Sequence, residues 1–341
     1  MKMKIAKTGV LLINLGSPDG PDTASVRRYL REFLCDARVI DIAPVPRYLL
    51  VYGIISIFRS PKSAAAYQKI WTAKGSPLVQ AAYDLARRVG EILGPDYHVR
   101  SAMRYGKPAI ETEIKALLDS GVEKIHAFPL YPQYAGASTA SSVEEVMRVL
   151  TKEVAWPEVK ILGDFYDHPG FIESFATVAK RHLKEFKADH VLFSYHGLPE
   201  HQMQSADRSG KHCLRNPDCC FTITATNRLC YRAQCFATTY GLQKALGLTM
   251  EDSSLSFQSR LGRSTWIQPY TDQELPILIK RGVKRLAVMC PAFVADCLET
   301  LEEIQIRAAE DWKALGGEAL ILVPSLNSEE IWCQTVADMV K

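Results

Sequence analysis

His190–Glu200 reads HVLFSYHGLPE, and the order of residue types within it decides the fold. Val191, Leu192 and Phe193 form the apolar run of a buried strand, Ser194, Tyr195 and His196 are polar groups at its exit, and Gly197 and Pro199 break it there. In open parallel α/β sheets ligands sit outside the carboxyl ends of the strands, so a titratable side chain at this point is a site candidate on placement alone. The competing reading of the same residues is a histidine satisfied by a loop carbonyl.

Outward from this stretch, strand-like runs alternate with helix-like patterns. Thr8–Leu15, His98–Tyr105 and Lys124–Leu130 read as strands, separated by amphipathic helices over Thr23–Leu34 (with Thr23 as its cap), Pro77–Leu93, Ala109–Asp119 and Ser141–Leu150. A second series starts with a strand at Lys160–Phe165 and a helix near Phe171–Phe186. It continues through strands at 190, Leu255–Gln258, Arg285–Cys290 and Ala319–Val323, with helices ending near Leu248 and over Asp272–Lys280, Val294–Leu315 and Ser328–Val340. This alternation predicts an α/β protein of two doubly wound parallel sheets, divided into 1–160 and 161–341, with the last helix crossing back onto the first half.

The totals agree with a folded protein of that size. There are 341 residues, 47% of them hydrophobic, and the formal charge of +3 comes without any long basic block, which sets nucleic acid aside as a partner. The start of the chain has basic residues and then a short apolar run ending in Asn14-Leu15-Gly16, which suits a first strand better than a cleaved leader, so a cytoplasmic protein is expected. Five of nine cysteines, Cys213, Cys219, Cys220, Cys230 and Cys235, fall in one short segment, whereas Cys35, Cys290, Cys297 and Cys333 are scattered as small hydrophobes would be.

Two other segments stand out. YLLVYGIISIF, between Arg47 and Arg59, is apolar on every side of a helix and too short to cross a bilayer. It reads either as a buried core helix or as an exposed lip at about 43–60, meeting a membrane surface or a large apolar ligand with the flanking arginines at its rim. After Cys290-Pro291, Asp296, Glu299 and Glu303 recur at i, i+3 and i+7, on one face of a helix. Such a stripe is either a solvated face or, beside a histidine on the same sheet rim, a path for protons or a divalent metal.

Eight ordered stretches carry a resemblance over nearly the whole chain: LLINLGSPD (11–19), VRRYLREFLCDARVID (26–41), SAAAYQKIWTAKGSPL (63–78), MRYGKPAI (103–110), FPLYPQYAGAST (128–139), SYHGLPE (194–200), SFQSRLGRSTWIQPYTD (256–272) and CPAFVADCLETLEEI (290–304). The chain resembles the ferrochelatase family. That resemblance implies two Rossmann-like domains with a porphyrin cleft between them, and insertion of Fe(II) into a porphyrin, protoporphyrin IX first, without a nucleotide. It implies that His196 accepts a pyrrole proton or is the last ligand of the substrate iron, that Glu299 stands opposite it, and that Asp296 and Glu303 extend an acidic track. Arg307 stands where some relatives continue that track. Tyr67, Ser76, Arg59, Arg104, Tyr105, Tyr131 and Trp266 match porphyrin-wall positions. A peripheral position at the inner membrane surface follows for the lip, and monomer and homodimer both stay open.

The cysteine segment has the spacing C-x5-C-C-x9-C-x4-C, without the paired C-x2-C of zinc fingers. Irregular spacing suits an iron-sulfur cluster, and some ferrochelatases carry [2Fe-2S], so Cys213, Cys220, Cys230 and Cys235 are expected as ligands with Cys219 as the alternative; zinc and no metal are the competitors. Set against the chelatase are a tetrapyrrole or metal-chelate binding protein without turnover, a coproporphyrin-specific chelatase, and an iron-sulfur redox protein.

Overall fold

The computed structural model describes residues 7–260, 262 and 264–341; the basic start of the chain and two positions of the 256–272 stretch lie outside them. Two compact units result, one of Met1–Tyr131, Gly136–Asp164 and Asn327–Lys341, the other of Pro132–Ala135 and Phe165–Leu326.

The first unit holds four parallel strands, β1 (Thr8–Ser17), β2 (Tyr97–Gly106), β3 (Lys124–Pro129) and β4 (Glu158–Ile161), in the order β2-β1-β3-β4. Leu11 and Ile13 of β1, Ala102 of β2 and Ile125 of β3 form one core with Ile114 and Leu117 of the helix Ile110–Asp119 and Val146 and Val149 of the helix Ser141–Leu150. The apolar spacing of those helices is what predicts them, and the same spacing buries them. The helix Thr23–Leu34 has its expected bounds, but its cap is Asp22, whose carboxylate accepts the N–H groups of Ala24 and Ser25 at 2.9 and 3.0 Å. β4 ends at Ile161, four residues short of the predicted strand, because its pairing with β3 ends at Ala127↔Ile161. The closing helix Glu330–Val340 packs on Pro77–Leu93, burying Trp332, Val336 and Val340, and the Val340 carbonyl accepts from His126 Nδ1 at 2.8 Å.

The second unit repeats the scheme with β5 (His190–His196), β6 (Ser253–Gln258), β7 (Arg285–Met289) and β8 (Ala319–Leu322), all parallel, in the order β6-β5-β7-β8. Leu192, Leu286 and Val288 pack with Leu275, Leu278, Ile304 and Trp312; the Trp312 indole N–H reaches the Lys284 carbonyl at 3.1 Å. Each unit is thus a Rossmann-like parallel sheet with helices on it, as the alternation predicts.

The apolar segment is not a buried core helix. It runs through a helix Pro44–Leu50, a π-helical turn Val51–Ile55 and the start of a helix Ser56–Ile70. Val45, Leu49, Ile54 and Phe58 lie 69%, 69%, 55% and 72% exposed, so most of its apolar surface faces out. Arg47 is not at the rim as expected: it is buried, donating to the carbonyls of Ile40 and Ile42 at 3.3 and 3.0 Å, while Arg59 is exposed.

His190, at the start of β5, is buried with Nε2 2.9 Å from Ser254 Oγ. Burial, with Arg281 nearby, pushes its imidazole down to about 4. Between about 6.5 and about 4 the unfolded chain takes up a proton that the folded one refuses, so stability is lost as the pH falls through that window. His190→Gln is expected to remove a pH-dependent loss of about 2 kcal/mol between pH 7 and pH 4.5, read from urea unfolding at the two pH values. Equal pH dependence in the two proteins would exclude His190 as its source.

Candidate active site

His196 is the last residue of β5, where the strand leaves its pairing with β6 at His196↔Gln258. Its Nδ1 is 2.6 Å from the Gly197 carbonyl, which can only accept, so Nδ1 carries a proton and Nε2 is the accepting nitrogen of the neutral ring. The bland alternative, a loop carbonyl satisfying the imidazole, is therefore met at one nitrogen and leaves the other for chemistry. Gly197 donates its N–H to the Gln258 carbonyl at 2.8 Å, and a Cβ there would lie 2.9 Å from that same oxygen and 3.1 Å from the Trp266 ring, so only glycine fits. Trp266 and Phe293 flank the imidazole with ring centroids 6.4 and 6.3 Å away. Trp266 is held by a bridge to Pro199, and the neighbouring Ile267 N–H donates to the Leu198 carbonyl at 3.0 Å.

The acidic residues follow β7, but not on one continuous α-helical face. The predicted helix Val294–Leu315 begins only at Leu298 and is π-helical over Leu301–Ala308. Asp296 lies in the preceding loop, its carboxylate accepting from Thr300 Oγ1 at 3.1 Å and Ser325 N at 3.2 Å. The wider π turn breaks the 3.6-residue period on which a single stripe depends. Glu303 receives both the N–H and the hydroxyl of Ser259 at 3.0 and 2.5 Å; Ser259 adopts φ 67°, a left-handed conformation that turns both groups the same way. Glu299 is in the first turn, its carboxylate beside the Cys297 thiol and its carbonyl accepting from Gln258 Nε2 at 2.8 Å. Gln258 thus joins the backbone of His196 to that of Glu299. Arg307 turns to Glu302, 3.0 Å away.

Gln258, Ser259 and Phe293 are site residues that the sequence reading missed. Gln258 ends a predicted strand beside β5, so the strand-end rule applied to every strand would have reached it.

The first unit places the other expected residues differently. Tyr105 is 1% exposed and its hydroxyl donates to Asp36 at 2.7 Å; Arg104 Nη2 and Ser141 Oγ reach the same carboxylate at 2.7 and 2.5 Å. Burial alone would raise the Asp36 carboxyl, but these donors and the Arg38 N–H outweigh it and hold it below its ordinary value. Tyr131 is half-buried with its hydroxyl 3.2 Å from Ser142 Oγ, Tyr67 is buried edge-on against Trp71, and Ser76 is buried at the start of the helix Pro77–Leu93.

In the cysteine segment all thiols are free. Cys213, Cys219, Cys220 and Cys230 line one pocket with Asp207, His212 and Asn227; Cys235, expected among the ligands, does not, and Cys219, the alternative, does. Cys219 and Cys220 Sγ are 3.6 Å apart, and Cys220 and Cys213 both hydrogen-bond to Cys230. Through the Cys230 thiol the Cys213 thiol is lowered, whereas Cys220 is pushed up. The Asp207 carboxylate accepts the N–H groups of His212 and Cys213 at 2.9 and 2.8 Å, and Asn227 Nδ2 donates to the Cys219 and Thr222 carbonyls, so the loop is pinned at both ends. Among the described residues no three His, Cys, Asp or Glu side chains are arranged to hold a metal ion.

The ferrochelatase family model matches residues 7–341. Ferrochelatase of Coxiella burnetii (strain Dugway 5J108-111) is 47% identical over 335 residues, covering 98% of this chain and 93% of that one. Ferrochelatase of Legionella pneumophila (strain Lens) is 46% identical over 334 residues, 98% of each. Among solved structures, SirB from Bacillus subtilis with Fe3+ aligns over 98% of this chain and 94% of that one at 13% identity with a TM-score of 0.55, a likeness of fold. The chain belongs to the ferrochelatase family.

Proposed function

We propose that this chelatase inserts Fe(II) into protoporphyrin IX, with His196 Nε2 as the first proton acceptor. The reaction exchanges two pyrrole protons for one Fe(II), so it needs a neutral base at the macrocycle and an outlet for protons. The observation that carries the reading is the commitment of His196 Nδ1 to the Gly197 carbonyl, which makes Nε2 the accepting nitrogen of the neutral imidazole and aims it by a fixed loop. Glu299, tied through its backbone to Gln258, is the proposed partner, while Asp296 and Glu303 continue the track with their carboxylates already held by hydroxyls and N–H groups. Trp266, flanking the imidazole, offers a ring face to the macrocycle. Arg104 and Tyr105 act one step back, through Asp36, because their polar atoms are engaged there.

The thiol pocket is read as a [2Fe-2S] site formed by Cys213, Cys219, Cys220 and Cys230. The four thiols touch in a row, Cys219 to Cys220 to Cys230 to Cys213, and a two-iron cluster takes four thiolates, so the number and type of donors in this pocket fit it. When bound, the cluster would cross-link the loop. The exposed apolar segment around Leu49 and Phe58 supports peripheral contact with a bilayer, from which an apolar porphyrin could be drawn.

Mixing the purified protein with Fe(II) and protoporphyrin IX is expected to give metalloporphyrin absorbance, and His196→Ala to lower kcat by about 100-fold or more. A wild-type protein that only shifts the porphyrin spectrum is a binding protein, and faster turnover of coproporphyrin III replaces the substrate. Anaerobic purification should give a coloured protein with two irons and two labile sulfides per chain, lost in Cys219→Ser and retained in Cys235→Ser; colourless wild-type protein without sulfide sinks the cluster. Sedimentation with anionic phospholipid vesicles should weaken in Leu49→Ser/Phe58→Ser, and equal sedimentation of both proteins would dismiss the lip as a membrane contact.

A further inference from the structure

The fifth clustered cysteine is left over. Cys235 is fully buried one turn into the helix Tyr231–Leu246, and its thiol hydrogen-bonds to the Tyr231 hydroxyl four residues before it. That hydroxyl is 2.9 Å from the His196 carbonyl. A carbonyl only accepts, so the tyrosine proton goes to His196.

The same helix holds β5 at a second point. Tyr195, also fully buried, has its hydroxyl 2.8 Å from Thr239 Oγ1. Residues 195 and 196 are therefore both gripped by one helix, and the first of its neighbours is Cys230, which precedes Tyr231 directly and whose thiol lines the thiol pocket. The Cys230 N–H is fixed to the Asn227 carbonyl at 2.8 Å, and adjacent Cα atoms are bound to one another at about 3.8 Å, so a shift of Cys230 is passed to Tyr231 with little loss.

We propose that Tyr231, backed by Cys235, is a positioning residue for His196 and relays the state of the thiol pocket to it. By fixing the His196 carbonyl it holds the turn in which the Gly197 carbonyl meets Nδ1–H, and so keeps Nε2 the accepting nitrogen. The positioning role concerns the known reaction; the relay rests on reading the thiol pocket as a cluster site.

Imidazole 15N spectra of labelled protein, with the His196 signal assigned by its loss in His196→Ala, read the tautomer directly. Wild type is expected to show Nδ1–H with a bare Nε2. Tyr231→Phe is expected to show a mixture of tautomers and to lower kcat about tenfold with the porphyrin KM within about twofold, while iron and sulfide content stay unchanged. Stripping metal from wild type with a chelator should move the His196 signal to its place in Tyr231→Phe, and stripping the variant should move nothing further. Because the stripping arm uses wild-type protein, it stands even where the variant folds poorly. A His196 signal that ignores stripping overturns the relay, and one that is the same in Tyr231→Phe as in wild type overturns the positioning role. Loss of the far-ultraviolet dichroism on stripping also overturns the relay, since the pocket would then support the whole unit rather than one histidine. Wild-type protein isolated with neither iron, sulfide nor zinc overturns the cluster reading itself and takes the relay with it.

Discussion

Pairing of β5 with β6 sets His196 opposite Gln258, and the site hangs on that register. A slip of one residue would turn every side chain of β5 to the other face of the sheet. The Gln258 amide is oriented by its surroundings: Oε1 accepts from Ser194 Oγ at 2.7 Å and lies 3.6 Å from Cys290 Sγ, so Nε2 is left to face the Glu299 carbonyl. Beneath it, Ser194 and Ser256 share Thr271 Oγ1 at 2.9 and 2.8 Å. These buried hydroxyls satisfy one another, and removing one would leave its partner's polar atom unpaired at a cost of about 1–3 kcal/mol. The rigidity of the base and that of the acidic segment thus have one source.

Elements whose burial follows a simple period were legible from the residues. Val191–Phe193 is buried on both sides and reads as a continuous apolar run, and Val146 and Val149 fall on the inner side of a 3.6-residue repeat. The π turns were not legible. Leu298, Leu301 and Ile304 fit an α-helix as written, and nothing local marks the wider turn that begins at Leu301. The loop ahead of it is decided by tertiary partners, since the Asp296 carboxylate accepts from the distant Ser325 N–H as well as from Thr300. The segment 48–58 stayed open between a buried helix and an exposed lip for another reason: a helix apolar on every side has no periodic signal, so composition could not say which surface faces out.

The cysteines show where spacing stops being informative. Adjacent side chains of a strand point to opposite faces, which argues against Cys219 and Cys220 serving one site. They lie instead in a turn held by Asn227 and His212, where both side chains enter the same pocket. Cys235 matches the others in sequence distance but sits inside a regular helix, and its neighbour at i−4 is Tyr231 rather than a thiol. Chain separation set Cys219 aside and kept Cys235, and backbone conformation reverses the two.

The two units share one strand order, so β1 and β5 occupy equivalent central places, yet their exits are chemically unlike. β5 ends in an imidazole with one nitrogen committed and one bare. β1 ends in Gly16, whose φ of 124° brings it against the Tyr105 carbonyl, and in Ser17, whose buried hydroxyl has no partner among the described residues. The nearby charge of Asp36 is paired with Arg104 and accepts from two hydroxyls. A repeated scaffold with one reactive exit divides the labour physically: proton removal requires the polar framework around Gln258, while the first unit ties Asp36 to Arg104, Tyr105 and Ser141 and leaves its apolar segment exposed. A second base at the β1 exit would have to be desolvated beside Asp36, and the cost of placing two ionisable groups there gives a reason for the asymmetry.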